Sequence, residues 1–292
     1  EKGDVWTIGS VPWARQAMLV LYHIGQDGEL KKSKLHTLDF AGYMHDFVLT
    51  SRYLIALNSS AVMGDGETFV DSLQWQGDRP SQLLVFDRDD FSLVKKIEIP
   101  PTFVFHFGNA WEERDVIHFT ACHYPDMKTV SHAMRRLAKQ QHGPYDHAPE
   151  LVRYSLKLVT GDVQLERLGV DMEFPGFDRA RPFSKQSVFG VSGHASSASE
   201  LASAIVRIDP AMGSLDRYDY GDGVIVEEPL LVAGHTEDYI VHSFLDYGRK
   251  RTGVAVLQAS NLSAGPVALA HMSRILPLGF HGCFLSGLSA TS

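Results

Sequence analysis

The chain is poor in cysteine, in runs of one charge, in long apolar stretches and in helical periodicity, and each shortage excludes something. Two cysteines in 292 residues, Cys122 and Cys283, are too few and too far apart for a disulfide framework or a CxxC zinc site. A reducing compartment is therefore expected, and any metal must use other ligands. Lys and Arg number 27 against 35 Asp and Glu, a net charge of −8, with no basic run to provide the footprint of nucleic-acid binding. No nucleic-acid partner is expected. Nothing approaches the roughly 18 apolar residues of a spanning helix, and Glu1-Lys2-Gly3-Asp4 does not read as a secretory leader, which predicts a soluble protein in the cytoplasm. What the sequence has in number is histidine, 14 in all.

A chain of this length can bury about three-quarters of its unfolded surface. Length alone suggests two domains of about 150 residues, but propellers run longer as one unit. Cut at its turn signals, the sequence shows a recurring unit: an apolar strand, an Asp/Gly/Asn turn and a second strand with polar alternation. Five copies align, at Leu19–Leu38, Leu83–Ile99, Leu151–Leu168, Ala204–Tyr220 and Gly253–His271, starting 49 to 68 residues apart. Propeller repeats run about 40–50 residues per blade. Shorter strands are predicted between them at Phe47–Leu57, Phe103–Phe107, Val116–Ala121, Ser187–Val191, Glu228–Val232 and Tyr239–Phe244. Helical periodicity is confined to Ser131–Gln141, with Ala133, Leu137 and Ala138 on one side and Arg135, Arg136 and Lys139 on the other. This reads as a solvated surface helix, a membrane-surface role being the alternative. No linker or composition shift divides residues 1–292, so the pattern predicts one all-β domain of radially repeated hairpins.

In such an array the inner strands converge on an axis, where residues distant in sequence can meet. His45 in Met44-His45-Asp46-Phe47, His106 in Phe103-Val104-Phe105-His106-Phe107 and His281 in Gly279-Phe280-His281-Gly282 are spaced by about whole numbers of repeats. Imidazole suits iron, zinc, copper and nickel alike. Taken singly, each is better read as a packed core residue; the shared aromatic or glycine setting is what makes three candidate ligands. The other eleven histidines sit beside turns, on mixed strands or near the helix, and are assigned no chemistry. A ligating imidazole usually gives its second N–H to a carboxylate or carbonyl. Glu173 in Asp171-Met172-Glu173-Phe174-Pro175 and Glu228 in Val226-Glu227-Glu228-Pro229-Leu230 are candidates for that role, because each precedes apolar residues where an unpartnered charge is costly. Capping a strand at the surface is the competing reading. Phe47, Phe103, Phe105, Phe107, Trp111 and Phe280 flank the histidines, most as core and some as walls of a substrate channel.

Five segments carry a further signal: Met44-His45-Asp46-Phe47-Val48-Leu49-Thr50; Val104 to Glu113 running into Ala121-Cys122-His123-Tyr124; Met172-Glu173-Phe174-Pro175; Glu228-Pro229; and Leu276-Pro277-Leu278-Gly279-Phe280-His281-Gly282. In this order they resemble the carotenoid cleavage oxygenase family, over essentially the whole chain from Glu1 to about Phe284. The resemblance implies a seven-bladed β-propeller with a non-haem Fe(II) on its axis, held by four histidines and no carboxylate. It implies O₂-dependent scission of a conjugated C=C bond into two carbonyl fragments. His45, His106 and His281 match the family's second, third and fourth ligands. Glu173 and Glu228 match two of its three glutamates that hydrogen-bond ligand histidines, with Glu173 expected on His106 and Glu228 on His281. The family's first ligand lies just before a segment like Glu1–Trp6, and His23 and His36 do not fit that place. The resemblance therefore implies the C-terminal portion of a propeller, lacking its first blades, first ligand and third glutamate. The implied partners are O₂ and an apolar polyene or a stilbene, with transient contact at a lipid surface. A truncated, inactive propeller scaffold is the alternative.

Two rival motifs fail on their own terms. Gly190-Val191-Ser192-Gly193-His194 has His where the nucleophile elbow G-x-S-x-G needs Gly, and the elbow belongs between a strand and a helix. Gly221-Asp222-Gly223 lacks the third glycine and the following helix of a dinucleotide fingerprint.

Overall fold

Short apolar runs bounded by Gly, Asp and Asn fold as antiparallel meanders, and the computed structural model is built from little else. It describes residues 3–11, 17–139, 148–193, 201–209 and 212–285. The first sheet contains β1 (Val5–Val11), β2 (Met18–Ile24) and β3 (Leu30–Thr37). The second begins with β4 (Phe47–Leu49) and β5 (Tyr53–Asn58). A small hairpin of β6 (Ala61–Met63) and β7 (Leu73–Trp75), enclosing α1 (Phe69–Ser72), leads to that sheet's outer strands β8 (Ser81–Asp87) and β9 (Leu93–Ile99). The third contains β10 (Phe103–Glu113) and β11 (Val116–Tyr124), then α2 (Met127–Ala138) as an excursion, then β12 (Glu150–Lys157) and β13 (Val163–Asp171). The fourth contains β14 (Glu173–Gly176), β15 (Val188–Ser192), β16 (Ala204–Asp209) and β17 (Ser214–Asp219). In the fifth, β18 (Val224–Val226) and β19 (Leu230–Val232) both pair with β20 (Tyr239–Asp246), followed by β21 (Arg251–Gln258) and β22 (Pro266–His271).

The five repeats read from the sequence are the two outer strands of these five sheets. The inner strands depart further from expectation. Phe47–Leu57 is two strands, because the Thr50 and Tyr53 main chains and the Thr50 hydroxyl close a turn at Thr50. β10 runs six residues beyond Phe107, and Glu228 lies outside the strand that begins at Leu230. The helix starts at Met127, since Met127 and Val130 are buried against the β6–β7 hairpin and β10–β11. Residues 140–141 of the predicted helix lie outside the described residues.

Apart from the cluster under α2, each core lies between two successive sheets. Leu54, Ala56, Leu84 and Phe86 face Leu19 and Leu21 of the first sheet. On the opposite face of the same strands, Ile55, Leu57, Leu83 and Val85 pack towards Val104, Phe119 and Tyr154 of the third. Cores of the same kind join the third sheet to the fourth and the fourth to the fifth. A strand with a neighbour sheet on both sides must be apolar on both sides, which is why β5 and β8 read as unbroken apolar runs. Outer strands have no such cover, and β3 is almost wholly exposed. The Phe119 and Tyr154 rings stack at 4.9 Å in the largest of these cores. Among the described residues, no helix is long and apolar enough to cross a membrane.

The innermost strand β10 lies against both β4 and β14, so side chains carried by different sheets meet there. Within the fourth sheet, the chain entering β14 leaves no room at Gly190 of β15, where a Cβ would stand 2.3 Å from Met172 Cγ and 2.7 Å from the Glu173 carbonyl oxygen. Gly190→Ala is expected to cost about 1–3 kcal/mol by overpacking and to push β14 away from β15. Urea denaturation checks this; a loss below about 0.5 kcal/mol, within the range of neutral surface changes, contradicts it.

Candidate functional site

The three candidate histidines come from three different parts of the array. His45 lies two residues before β4, His106 lies within β10, and His281 lies on the segment that follows β22. The pairing of β10 with β11 shifts register on both sides of Phe107, an irregularity of the kind that re-aims a side chain from a sheet. Asp46 ties two of the carriers together, because its carboxylate accepts from Phe47 N at 2.8 Å and from Phe107 N, next to His106, at 2.8 Å. Burial raises the Asp46 carboxyl above its usual range, and these two N–H groups work against that rise.

The outcome is a cluster in which one ligand-type atom of each of His45, His106 and His281 lies within 4.8 Å of the others. His106 Nε2 and His281 Nε2 are 3.3 Å apart. Behind them stand the two glutamates: His106 Nδ1 is 2.6 Å from Glu173 Oε2, and His281 Nδ1 is 3.4 Å from Glu228 Oε2. An imidazole that gives its Nδ1–H to a carboxylate presents a lone pair at Nε2. Two lone pairs facing at 3.3 Å repel unless a cation or proton lies between them, so the donor set fits a metal ion. His45 Nδ1 has a different partner, the Tyr43 hydroxyl at 3.1 Å, which leaves its Nε2 for the cluster.

Electrostatics separate His45 from His106. Burial, followed by the neighbouring His106 and His281, pushes His45 down to about 4, so it is neutral at physiological pH and ready to bind a metal. Burial also acts against protonation of His106, but the hydrogen bond and charge of Glu173, aided by Asp46 and Glu228, outweigh it and lift His106 above its ordinary value. Glu173 is itself buried, 9% exposed, and its Oε1 has no hydrogen-bond partner among the described residues. A carboxylate held this way is a costly arrangement unless it serves His106.

A cavity of about 550 Å³ opens onto the cluster, within the usual range for ligand sites. Its walls are mainly apolar, with Phe105, Met134, Met172, Phe174, Leu278 and Phe280 prominent. Phe174 and Phe280 have left-handed backbones, φ 52° and 60°, an uncommon state for bulky residues. Each adjoins a site residue, and the Phe174 ring packs 4.9 Å from His106 and 5.3 Å from His281. Among the flanking aromatics predicted from sequence, Phe105 and Phe280 line the cavity, while Phe103, Phe107 and Trp111 are core and Phe47 packs on the core between the first two sheets.

Several of the remaining described histidines have other occupations. His23 pairs with Asp4 and stacks on Trp6, His118 meets Ser155, and His123 meets the Tyr154 hydroxyl. His242 is buried against the Tyr220 hydroxyl at 2.9 Å. His132 lines the cavity without joining the cluster, and His142, His147 and His194 lie outside the described residues. Sequence reasoning missed Tyr43, Asp46 and Glu227. Tyr43 and Asp46 were legible only as neighbours of His45, and Glu227 was overshadowed by the glutamate beside it.

Fold and site together define a β-propeller with an imidazole cluster where its inner strands converge. The family model described as "Retinal pigment epithelial membrane protein" matches residues 1–286, and the chain belongs to this family of carotenoid cleavage oxygenases. It is 24% identical over 311 residues to the carotenoid 9,10(9',10')-cleavage dioxygenase of Crocus sativus, covering 97% of this chain and 55% of that protein. It is 23% identical over 295 residues to the apocarotenoid-15,15'-oxygenase of Synechocystis sp., covering 94% and 58%. The isoeugenol monooxygenase of Pseudomonas nitroreducens is 21% identical over 309 residues, with 98% and 63% covered. The chain thus spans a little over half the length of these relatives. Among solved structures, cobalt-substituted Synechocystis apocarotenoid oxygenase superposes with a TM-score of 0.77 at 20% identity, covering 94% of this chain and 59% of that one.

The two outlying imidazole environments can be read directly. In metal-free protein followed by NMR titration, His45 is expected to stay neutral until about pH 4, and His106 to titrate above the usual value of about 6.5. Glu173→Gln should move His106 downward while leaving His45 the lower of the two. Protonated His106 is held by Glu173 more strongly than the neutral ring, so the stability gap between parent and Glu173→Gln in metal-free protein is full below about pH 6.5 and shrinks as pH rises through the raised His106 value. Titration of His45 at about 6.5 contradicts this electrostatic picture.

Proposed function

We propose that the protein is a non-haem Fe(II) dioxygenase that cleaves a conjugated C=C bond of a carotenoid or apocarotenoid with O₂, leaving a carbonyl on each fragment. The observation that carries the proposal is the convergence of His45, His106 and His281 beside a mainly apolar cavity, two of them backed by Glu173 and Glu228. An all-imidazole donor set by itself suits several transition metals. The choice of iron rests on family membership, and the choice of a polyene rests on relatives named for carotenoid and apocarotenoid cleavage. A second reading, cleavage of an aryl-substituted, stilbene-type double bond, draws on the isoeugenol monooxygenase among the relatives.

In this reading His45, His106 and His281 hold the ion through Nε2, while Glu173 and Glu228 fix the tautomers and orientations of two rings. Bound Fe(II) supplies the activation of O₂ and its delivery to the two carbons of the cleaved bond. The chain's own work is binding and exclusion. Phe105, Phe174 and Phe280 offer ring faces and edges to a conjugated substrate, and an apolar wall keeps water from the reacting bond. A substrate of this kind dissolves in lipid, so delivery would bring the protein into transient contact with a membrane surface. We also read residues 1–292 as part of one propeller domain, since the cores between successive sheets continue without a break.

The test is iron analysis together with substrate bleaching. Purified protein is expected to carry about one Fe per chain, His106→Ala and His281→Ala to lose it, and O₂-dependent loss of polyene absorbance to require it. Stoichiometric iron in both variants would sink the ligand assignment. Bleaching of a stilbene but not of a polyene would transfer the reading to the second substrate class.

A further inference from the structure

We propose that Glu227, the residue before Glu228, is a positioning residue for His281: it grips the segment that carries this imidazole and sets where the ring stands. The proposal rests on reading His281 as a metal ligand. The described part of that segment, from Met272 to Leu285, has no strand or helix, so no sheet ladder fixes it. Its backbone is held by side chains and by β21 instead. Met272 N donates to the Thr252 carbonyl at 2.8 Å and Leu276 N donates to Thr252 Oγ1 at 2.8 Å. Closer to the imidazole, Gly279 N donates to Glu227 Oε1, and Gly282 N donates to Glu228 Oε2 at 2.8 Å. Two successive carboxylates therefore hold the N–H groups two residues before and one residue after His281. Between these two grips Phe280 adopts its left-handed backbone, a state that persists only where the surroundings enforce it.

Adjacent residues of a regular strand point to opposite faces, so both glutamates could not reach one segment from an unbroken strand. The strand is broken here. Val226 pairs with Phe244 and Leu230 pairs with Val241, which sets Glu227, Glu228 and Pro229 opposite only His242 and Ser243. The extra residue is a bulge, and bulges re-aim side chains. Glu227 is in turn anchored on β20: its N donates to the Ser243 carbonyl at 3.0 Å, and Ser243 Oγ donates to Glu227 Oε2. With one carboxylate oxygen on Ser243 and the other on Gly279, Glu227 links the fifth sheet to the ligand-bearing segment. Glu228 has the imidazole itself as partner. The pair thus divides the labour, Glu228 orienting the ring and Glu227 placing the backbone beneath it.

Two readouts test this, one with metal and one without. The first is Co²⁺ titration of parent, Glu227→Ala, Glu227→Gln and Ser243→Ala, followed by calorimetry and by the visible cobalt spectrum. Outer hydrogen-bond partners of metal ligands commonly change affinity 10–100-fold. Glu227→Ala is expected to fall in that range with an altered spectrum. Glu227→Gln, which keeps an acceptor for Gly279 N, should recover most of the affinity, and Ser243→Ala should lie between. The second is hydrogen exchange of the peptide covering residues 276–284 in metal-free protein, where Glu227→Ala should exchange about tenfold faster while the β10–β13 peptides are unchanged. Parent protein that binds no Co²⁺ overturns the metal reading, and the exchange measurement still decides on Glu227. Parent-like affinity and spectrum in Glu227→Ala, or parent-like exchange over 276–284, overturns the proposal.

Discussion

The interaction on which the site depends is the 2.6 Å contact between His106 Nδ1 and Glu173 Oε2. It joins the innermost strand of the third sheet to the first residue of the fourth, and it does so where Glu173 is almost sealed from solvent. A buried carboxylate without a partner is expensive, and so is a buried imidazolium. The contact gives each a partner and, in the neutral ring, commits the proton to Nδ1, which leaves the Nε2 lone pair to face His281. The same carboxylate oxygen accepts from its own neighbour Phe174 N at 2.9 Å, so the orientation of the glutamate is not adjustable. Packing between sheets thereby becomes chemistry at the axis.

Around this contact the other carboxylates act in the same manner. Asp46 bridges the backbones beside His45 and His106, and Glu228 bridges the His281 ring and the following amide. Each ligand-type histidine is thus held both at its ring and through a neighbouring amide or side chain. Tyr43 serves His45 where the other two have carboxylates, and burial holds His45 well below its normal titration range while Glu173 lifts His106. The apolar cavity and the polar scaffold meet at Phe174 and Phe280, both strained and both touching the imidazoles or the chain beside them.

The outer hairpins were legible in the sequence because one strand of each carries polar alternation and a Gly, Asp or Asn turn closes it. The inner strands were harder. β14 has four residues and β18 and β19 three each, too short for period-two alternation to register, and their sequences carry Glu and Pro for reasons belonging to the site. The meeting of His45, His106 and His281 could be argued from spacing and from family motifs, since both survive in one dimension. The bulge that turns Glu227 and Glu228 to the same segment could not, because it is a property of pairing with β20. Nor could the start of α2 at Met127, which is set by burial against a hairpin that the sequence does not announce.

The most direct measurement is anomalous diffraction at the iron absorption edge from crystals loaded with Fe(II). The account predicts one strong peak among the Nε2 atoms of His45, His106 and His281, at bonding distance from each, with no carboxylate oxygen in contact. A peak elsewhere in the protein, or none at the cluster, contradicts it.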